Sequence, residues 1–310
     1  MRWWLSKFQE LICKFSGTDI LRRESEATRM LIAKSLIRDI RSRCTVENIR
    51  DAEFKVFSQF GDDGIIQYLI HNVDIPCKSF IEFGVENYME SNTRFLLMND
   101  NWRGLIIDGS KEAVDYIRND EIYWRHDLTA VNHFITRDNI NTIFSENGFS
   151  EEIGILSIDI DGNDYWIWDS IVMVDPVIVI VEYNSVFGAG RAVTVPYVDD
   201  FQRTKAHYSN LYWGCSLKAL CLLSSKKEYA FVGCNSSGNN AYFVRKDRMS
   251  NLRSLTAEDG FVESRLRESR DAYGRLTFAA GPERLTIIEG MPVIDVENDK
   301  QIMIKNLREE

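Results

Sequence analysis

Two acidic turns, each at the end of a short apolar run, are the residues of this chain best suited to chemistry. The first run ends at Glu82 and the chain then bends at Gly84, while the second run, residues 105–107, ends at Asp108. In a parallel strand–helix–strand unit, the turn after the first strand presents backbone N–H groups, and an acid ending the next strand binds a ribose diol. The spacing therefore predicts a nucleoside-bearing cofactor.

The glycine pattern narrows the choice of cofactor. A dinucleotide fingerprint needs three glycines, whereas this turn contains only Gly84. Glu82 and Glu86 would repel phosphate but would tolerate an ammonium and a sulfonium group. We therefore favour S-adenosylmethionine. The alternative is a βαβ unit of some other α/β domain that binds no ligand.

The elements around these turns alternate between strand and helix. Predicted strands lie at residues 122–127 and 153–161 and in the run PVIVIVEYN, residues 176–184, with helices at residues 111–119 and 137–147 among them. The nearly continuous Val and Ile of that run indicate a central parallel strand covered on both faces. Five strands alternating with helices predict a doubly wound, mainly parallel sheet.

A predicted hairpin follows this alternation. The runs YAFVGCN and AYFVRKD flank the break SSGNN, which is typical of two strands joined by a turn. A terminal hairpin is not a dehydrogenase pattern. It looks like the last two of the seven strands in a class I methyltransferase, where the final strand inserts antiparallel.

The segments outside this sheet are a helical N-terminal extension, residues 1–50, and a C-terminal appendage, residues 248–310. Residues 51–247 form the predicted Rossmann-like domain between them. The appendage carries a charged stretch at 258–271 that predicts a helix, and a strand-like run, RLTIIEG, at 284–290. We expect it to pack on the core or to pair between subunits of a homo-oligomer.

Composition excludes some classes of protein. The net charge of −10 disfavours binding to nucleic acid, because that affinity comes from Lys and Arg. The six cysteines lack the short paired spacing of zinc sites, which is typical of reduced residues in a cytoplasmic protein. Residues 1–15 place aromatic and aliphatic side chains at helical spacing but are too short to span a bilayer. They predict either a helix on a protein surface or a peripheral contact with the inner face of the membrane.

Five motifs resemble one known family. They are FSQFGDDGI, IEFGVEN with SNTRFLL and NWRGLIIDGS, LSIDIDGNDYWIW, VIVIVEYN and AYFVRKD, and together they cover residues 57–247. The chain resembles the FkbM-like branch of S-adenosylmethionine-dependent methyltransferases. The resemblance implies transfer of a methyl group to a hydroxyl oxygen on a sugar of a surface polysaccharide, a glycolipid or a glycosylated metabolite. The glycine-poor turn GVENYMES departs from many methyltransferases.

The resemblance also assigns roles to residues. Glu82 and Gly84 would line the methionine end of the cofactor, Asp108 would hold the ribose, and Asp127 with Leu128 would lie near the adenine. The full expected cofactor set is Glu82, Gly84, Glu86, Asn92, Asp108, Gly109, Ser110, Asp127, Leu128 and Asp159.

Methyl transfer to a sugar hydroxyl requires removal of its proton. Asp161, Glu182 and Asn184 end neighbouring strands, an arrangement similar to that of O-methyltransferases that bind Mg²⁺. We expect these three either to bind a divalent ion or to position the sugar, with Asp161 or His126 as base and His207 within reach of the substrate. In the alternative interpretation, Asp161 caps the next helix and Glu182 is a polar rim residue.

Two other functions fit part of the pattern. The triplet from Asp159 to Asp161 resembles the paired acids by which glycosyltransferases hold a metal and a nucleotide sugar. A methyltransferase-like scaffold without activity would retain the sheet and fail to bind the cofactor. A difference in thermal shift between S-adenosylhomocysteine and a nucleoside diphosphate would separate them.

Overall fold

The computed structural model describes residues 18–42 and 46–307. By its internal contacts the chain forms two units, residues 1–45 and residues 46–310, and a long helix, Thr18–Ser42, occupies the described part of the first. The hypothesis of a membrane-contacting or partner-contacting helix at residues 1–15 falls outside the described residues. Within the described ranges, no helix has the length and apolar character needed to cross a bilayer.

The second unit is built on a seven-stranded sheet. In chain order the strands of this unit are β1 Ser79–Phe83, β2 Arg103–Asp108, β3 Leu128–Asn132, β4 Glu151–Ile158, β5 Val174–Glu182, β6 Val193–Thr194, β7 Tyr229–Cys234, β8 Asn240–Arg245, β9 Pro292–Asp295 and β10 Lys300–Met303. The seven strands of the main sheet stand in the order β3-β2-β1-β4-β5-β8-β7, and a second sheet has the order β10-β9-β6.

Strands β1 to β5 are parallel, and β8 is antiparallel to both β5 and β7. The hairpin therefore inserts its second strand beside β5, which confirms the predicted doubly wound sheet with an antiparallel final strand. From β1 the chain first adds strands on one side and then returns to add β4 on the other. Ligands of such sheets bind where this order reverses, beyond the carboxyl ends of the strands.

Short helices connect and cover the strands. In the second unit they are Asp62–Asn72, Lys111–Asn119, Glu121–Arg125, Ile140–Glu146, Asp164–Ser170, Arg203–Ala206, Leu217–Lys226, Ala257–Gly260 and Pro282–Ile287, with a π-helix at Leu96–Asp100. The apolar run of β5 is buried from Pro176 onward, as predicted for a central strand. Its side chains join one core with the helices that cover the sheet.

The predicted strand at residues 122–127 is wrong. Glu121–Arg125 forms a helix, and β3 begins only at Leu128. The side chain of Asp120 caps this helix by accepting a hydrogen bond from the N–H of Ile122 at 2.9 Å. The cap offsets the strand propensity of the aromatic and branched residues behind it.

The C-terminal appendage also differs from its predicted elements. The stretch at 258–271 is helical only at Ala257–Gly260, and the run predicted as a strand forms the helix Pro282–Ile287. Pro282 at the first helical turn favours this helix, because its missing N–H has no helical partner there. Beyond it, Ile288, Val293 and Ile304 pack into an apolar cluster with Phe187 and Leu211. The appendage thus packs on the sheet domain.

Candidate active site

Two joined cavities lie at the carboxyl edge of the main sheet, where the strand order reverses. The larger has a volume of about 500 Å³ and the smaller about 240 Å³. Both are lined by Gly84, Glu86, Asp159 and Asp161, which lie just beyond β1 and β4. These shared residues make the two cavities halves of one cleft. The sequence placed all four in the candidate site.

Glu82 anchors the wall of the larger cavity. Its carboxylate accepts hydrogen bonds from the Ser91 hydroxyl at 2.6 Å, from the Asn92 N–H at 2.9 Å and from both the N–H and the hydroxyl of Thr93. Burial raises the pKa of Glu82 even against these bonds. The side chain therefore fixes the segment after the turn. Asn92 in turn donates to the Ser157 hydroxyl at 3.1 Å and lines the same cavity.

Gly84 is required by its surroundings. It has a φ of +65°, and a Cβ there would lie 1.8 Å from the backbone oxygen of Asp159. The turn after β1 therefore touches the end of β4 directly. A side chain here would separate the two loops that form the middle of the cleft.

Asp108 ties the same turn to the smaller cavity. Its carboxylate accepts the N–H of Glu86 at 2.8 Å and that of Ser110 at 2.7 Å. Asp108 and Gly109, two residues of the expected cofactor set, line the cavity. Ser110 lies outside both cavities and instead caps the helix Lys111–Asn119 by accepting the N–H of Ala113.

The residues after β3 complete the smaller cavity. His133, Phe134 and Ile135 line it together with Phe201. Asp127 and Leu128, which the resemblance placed near the adenine, lie at the opposite, amino end of β3 and line neither cavity. The error follows from the misassigned strand, because it moved the expected carboxyl end of β3 to the wrong residue.

Two neighbouring carboxyl groups line the larger cavity. Asp159 is half-buried and follows β4, and Glu182 is buried and ends β5. Burial, and then the charge of nearby carboxylates, raises the pKa of both groups well above the ordinary value. The Oε2 atom of Glu182 is buried and has no hydrogen-bond partner among the described residues. Two carboxyl groups so placed disfavour simultaneous ionisation, which favours one proton shared between them.

Asp161 has a different environment from this pair. It adopts a φ of +56°, its side chain is 65% exposed, and its nearest cation is a terminal nitrogen of Arg203 at 3.5 Å. It does not cap the next helix, because Asp164 accepts the N–H groups of Ile160 and Gly162. Asp161 is therefore a solvent-facing acid on the rim that both cavities share.

Asn184 is committed to the backbone. Its amide nitrogen donates to the carbonyl groups of Leu211 at 2.9 Å and Trp213 at 3.0 Å, and its oxygen accepts the N–H of Val186 at 3.1 Å. The set Asp161, Glu182 and Asn184 thus does not converge as three free ligands. Among residues 18–42 and 46–307, no group of three or more His, Cys, Asp or Glu side chains is arranged to hold a metal ion. The expected magnesium site is not supported.

Neither histidine expected near the substrate lines the cleft. His126 precedes β3 at the amino edge of the sheet, away from the strand ends that form the cavities. The Nδ1 atom of His207 is 2.7 Å from the Ser209 hydroxyl, and its ring packs on Tyr208. Burial lowers the pKa of both histidines. These positions disagree with the expectation that His126 acts as base and that His207 reaches substrate.

The segment at 57–63 contributes mainly structure. Gln59 lines the larger cavity, but Asp63 is buried and accepts the N–H groups of Val56, Phe57 and Ser58 at 2.7–2.8 Å. Burial raises the pKa of Asp63 to about 6. Its carboxylate thus holds the loop that brings Gln59 to the cleft.

The outer wall of the larger cavity was missed by sequence reasoning. Arg203 and Trp213 come from the loops after β6, and the appendage adds Ser264, Glu268 and Arg284. Gly188, Gly190 and Pro196, with weak periodicity around them, predict a long substrate-binding loop at residues 185–205, so the position of Arg203 had a signal in the sequence. Arg284 lies in a run that predicted a strand, and nothing in the sequence pattern indicated that it would line the cavity.

Solved structures of methyltransferases are similar to this chain at low identity. The N-terminal domain of EvdMO1 with S-adenosylhomocysteine bound has 10% identity over 72% of this chain and 94% of its own, with a TM-score of 0.40. A putative caffeoyl-CoA O-methyltransferase from Staphylococcus aureus has 12% identity over 77% of this chain and 98% of its own, with a TM-score of 0.39. An S-adenosylmethionine-dependent methyltransferase from Clostridium acetobutylicum has 9% identity over 59% and 89%, with a TM-score of 0.38.

Likenesses this weak do not establish a family or an activity for this chain. No protein-family model matches the sequence, and no curated protein matches it. The FkbM-like resemblance therefore stays a prediction.

Proposed function

We propose that this protein is an S-adenosylmethionine-dependent O-methyltransferase. The observation that supports it most is the two-part cleft at the switch point of the sheet, whose halves meet at Gly84 and Asp159. One half suits a nucleoside and the other suits a methyl donor beside an acceptor. The proposal agrees with the predictions from the acidic turns.

The smaller cavity has the features that a nucleoside requires. Asp108 offers carboxylate oxygens to the ribose hydroxyls, and Phe134, Ile135 and Phe201 offer apolar surface to the adenine. The centre of the cleft is acidic, because Asp159 and Asp161 line both of its halves. This charge favours a sulfonium and an ammonium over a pyrophosphate.

The larger cavity would hold the acceptor. Its walls combine amide and hydroxyl groups of Asn239, Asn240 and Ser264 with the aromatic face of Trp213. Polar groups around one aromatic face suit a sugar ring. We therefore propose a hydroxyl of a carbohydrate or glycolipid as the methylated group.

The proposed methyl transfer is a single nucleophilic displacement. The acceptor oxygen attacks the methyl carbon, the carbon–sulfur bond breaks, and S-adenosylhomocysteine leaves. The acceptor proton passes to the ionised member of the Asp159–Glu182 pair, whose raised pKa values make it a stronger base than an ordinary carboxylate. Both members of the pair line the cavity that would hold the acceptor.

The glycosyltransferase alternative requires two acids that share one metal. Asp159 is half-buried beside Glu182, whereas the side chain of Asp161 is 65% exposed and lies 3.5 Å from Arg203. The two side chains occupy different environments, which disfavours a joint ligand role. Asn184 is already bonded to the backbone and is not free to act as a magnesium ligand.

Isothermal titration tests the proposed cofactor. S-adenosylhomocysteine should bind the wild type, and Asp108→Asn should weaken binding about tenfold or more, because it removes the charge facing the ribose. Asp115→Asn, an exposed residue on the helix Lys111–Asn119, is the matched control and should bind as the wild type does. Binding of uridine diphosphate alone would instead support a glycosyltransferase, and binding of neither would support a scaffold.

A further inference from the structure

Two arginines line the larger cavity on the side formed by loops and appendage. Arg203 begins the short helix Arg203–Ala206, and Arg284 belongs to the helix Pro282–Ile287. The guanidinium of Arg203 lies 4.8 Å from the ring centre of Trp213, which also lines the cavity. The acidic half of the cleft thus faces a half that carries positive charge.

The guanidinium groups of Arg203 and Arg284 differ in their hydrogen-bond and ion-pair partners. Arg203 donates to the carbonyl of Asn210 at 2.8 Å and lies 3.5 Å from Asp161 and 3.7 Å from Glu268. The side chain of Arg284 makes no hydrogen bond or ion pair with any residue in the described ranges, and its Nε atom is buried without a partner. Among the described residues that line the cavity, Arg284 is therefore the cation without a hydrogen-bond or ion-pair partner.

The charged residues around Arg284 compensate its positive charge poorly. Burial lowers the pKa of Arg284, the charge of Glu263 opposes that shift, and the positive charge of Arg203 adds to it. Arg284 is half-buried and lines the cavity, so an anion bound there can supply the acceptor that its guanidinium lacks within the described residues. The planar guanidinium fork matches carboxylate and phosphate oxygens in particular.

We propose that the acceptor carries an anionic oxygen group, a carboxylate or a phosphate, which Arg284 binds with support from Arg203. The acceptor hydroxyl then lies toward the Asp159–Glu182 pair in the same cavity. This inference rests on the proposed function and names its substrate class: an acidic or phosphorylated sugar rather than a neutral one.

Titration of three small probes tests the inference. D-glucuronic acid, D-glucose 6-phosphate and D-glucose are titrated into the protein with and without saturating S-adenosylhomocysteine, and binding is followed by saturation-transfer NMR. At least one anionic probe should bind about tenfold or more tightly than glucose, and the stronger of the two identifies carboxylate or phosphate. Added NaCl should reduce this preference.

Variants locate the effect. Arg284→Gln should abolish the preference for the anionic probe, and Arg284→Lys, which keeps the charge but loses the fork, should keep part of it. Arg275→Gln removes the same charge from an exposed residue of the appendage that lines none of the cavities, and should leave the preference unchanged. Thermal melting of each variant shows that it is folded.

Three results would overturn the inference. They are equal binding of glucose and both anions, an unchanged preference in Arg284→Gln, and a tenfold loss of S-adenosylhomocysteine affinity in Arg284→Gln, which would assign Arg284 to the cofactor carboxylate. If S-adenosylhomocysteine fails to bind while the Arg284-dependent anion preference persists, the proposed methyltransferase function fails and the anion site stands.

Discussion

At the scale of single residues, Gly84 stands where the backbone leaves no room for a Cβ. We predict that Gly84→Ala lowers the free energy of unfolding by about 3 kcal/mol or more, because the new Cβ meets the Asp159 carbonyl and the residue keeps a positive φ. Urea denaturation measures the change.

Gly274 provides the control for this substitution. It has a φ of +77°, and a Cβ there would meet nothing within 4 Å, so Gly274→Ala should cost only the backbone strain, about 1–2 kcal/mol. Equal losses in the two variants would show that the contact between Gly84 and Asp159 does not matter.

The Asp159–Glu182 pair predicts a trade between stability and activity. A carboxyl group whose pKa is raised in the folded state lowers the stability of the protein as the pH rises from the ordinary pKa to the raised pKa. Glu182→Gln removes one such group, so its melting temperature should exceed that of the wild type at pH 8 by about 3 °C, and by less at pH 5. Its methyl transfer should fall about 100-fold or more, because the base is lost.

Differential scanning fluorimetry at the two pH values checks the first half of this prediction, and transfer of labelled methyl to an accepted sugar checks the second. Glu297→Gln, which replaces an exposed acid between β9 and β10, should change neither quantity. A Glu182→Gln protein that is less stable than the wild type at pH 8 would contradict the shared-proton interpretation.

Sequence reasoning found the residues whose roles depend on strand ends. Glu82, Gly84, Asp108 and Asp159 follow β-branched or aromatic runs, so their place in the fold was readable from local pattern. Asn184 satisfies the same pattern but is bonded to carbonyl groups of residues 211 and 213. Such long-range partners have no signature in the chain order.

At the scale of elements, a buried carboxylate joins the terminal hairpin to the helix before β1. Asp62, at the start of the helix Asp62–Asn72, accepts hydrogen bonds from Asn235 at 2.9 Å, from Asn240 at 3.0 Å and from the hydroxyl of Tyr242. Tyr242→Phe should lower the free energy of unfolding by about 1–3 kcal/mol, because the buried carboxylate loses a donor.

Tyr273→Phe is the control for this junction. Tyr273 is 82% exposed, so loss of its hydroxyl should leave the unfolding midpoint in urea within error of the wild type. If Tyr242→Phe behaves like the control, the hydroxyl of Tyr242 contributes nothing to the junction.

The element that sequence could not define is β3. Residues 122–127 have strand composition, yet the cap at Asp120 turns them into a helix and shifts the strand by several residues. The shift exchanges Asp127 and Leu128 for His133 and Phe134 at the cleft. Local propensity predicted one strand between the two flanking helices, where the structure has a short helix followed by a strand.

At the scale of the whole molecule, the cleft has two sources. The sheet supplies the smaller cavity through the loops after β1, β2, β3 and β4, and the appendage supplies part of the larger cavity through Glu268 and Arg284. The strand–helix alternation made the first source predictable. The second depends on how the appendage packs against Phe187 and Leu211, which no periodic pattern encodes.

Arg284 lies near the end of the given sequence, which has a consequence for the synthesis and the evolution of the protein. A ribosome synthesises every strand of the seven-stranded sheet before it reaches Arg284, so a nascent chain can complete the smaller cavity while part of the wall of the larger cavity is still untranslated. Under the proposed function, mutation of residues 248–310 would alter the acceptor side of the cleft and leave the methyl-donor side unchanged.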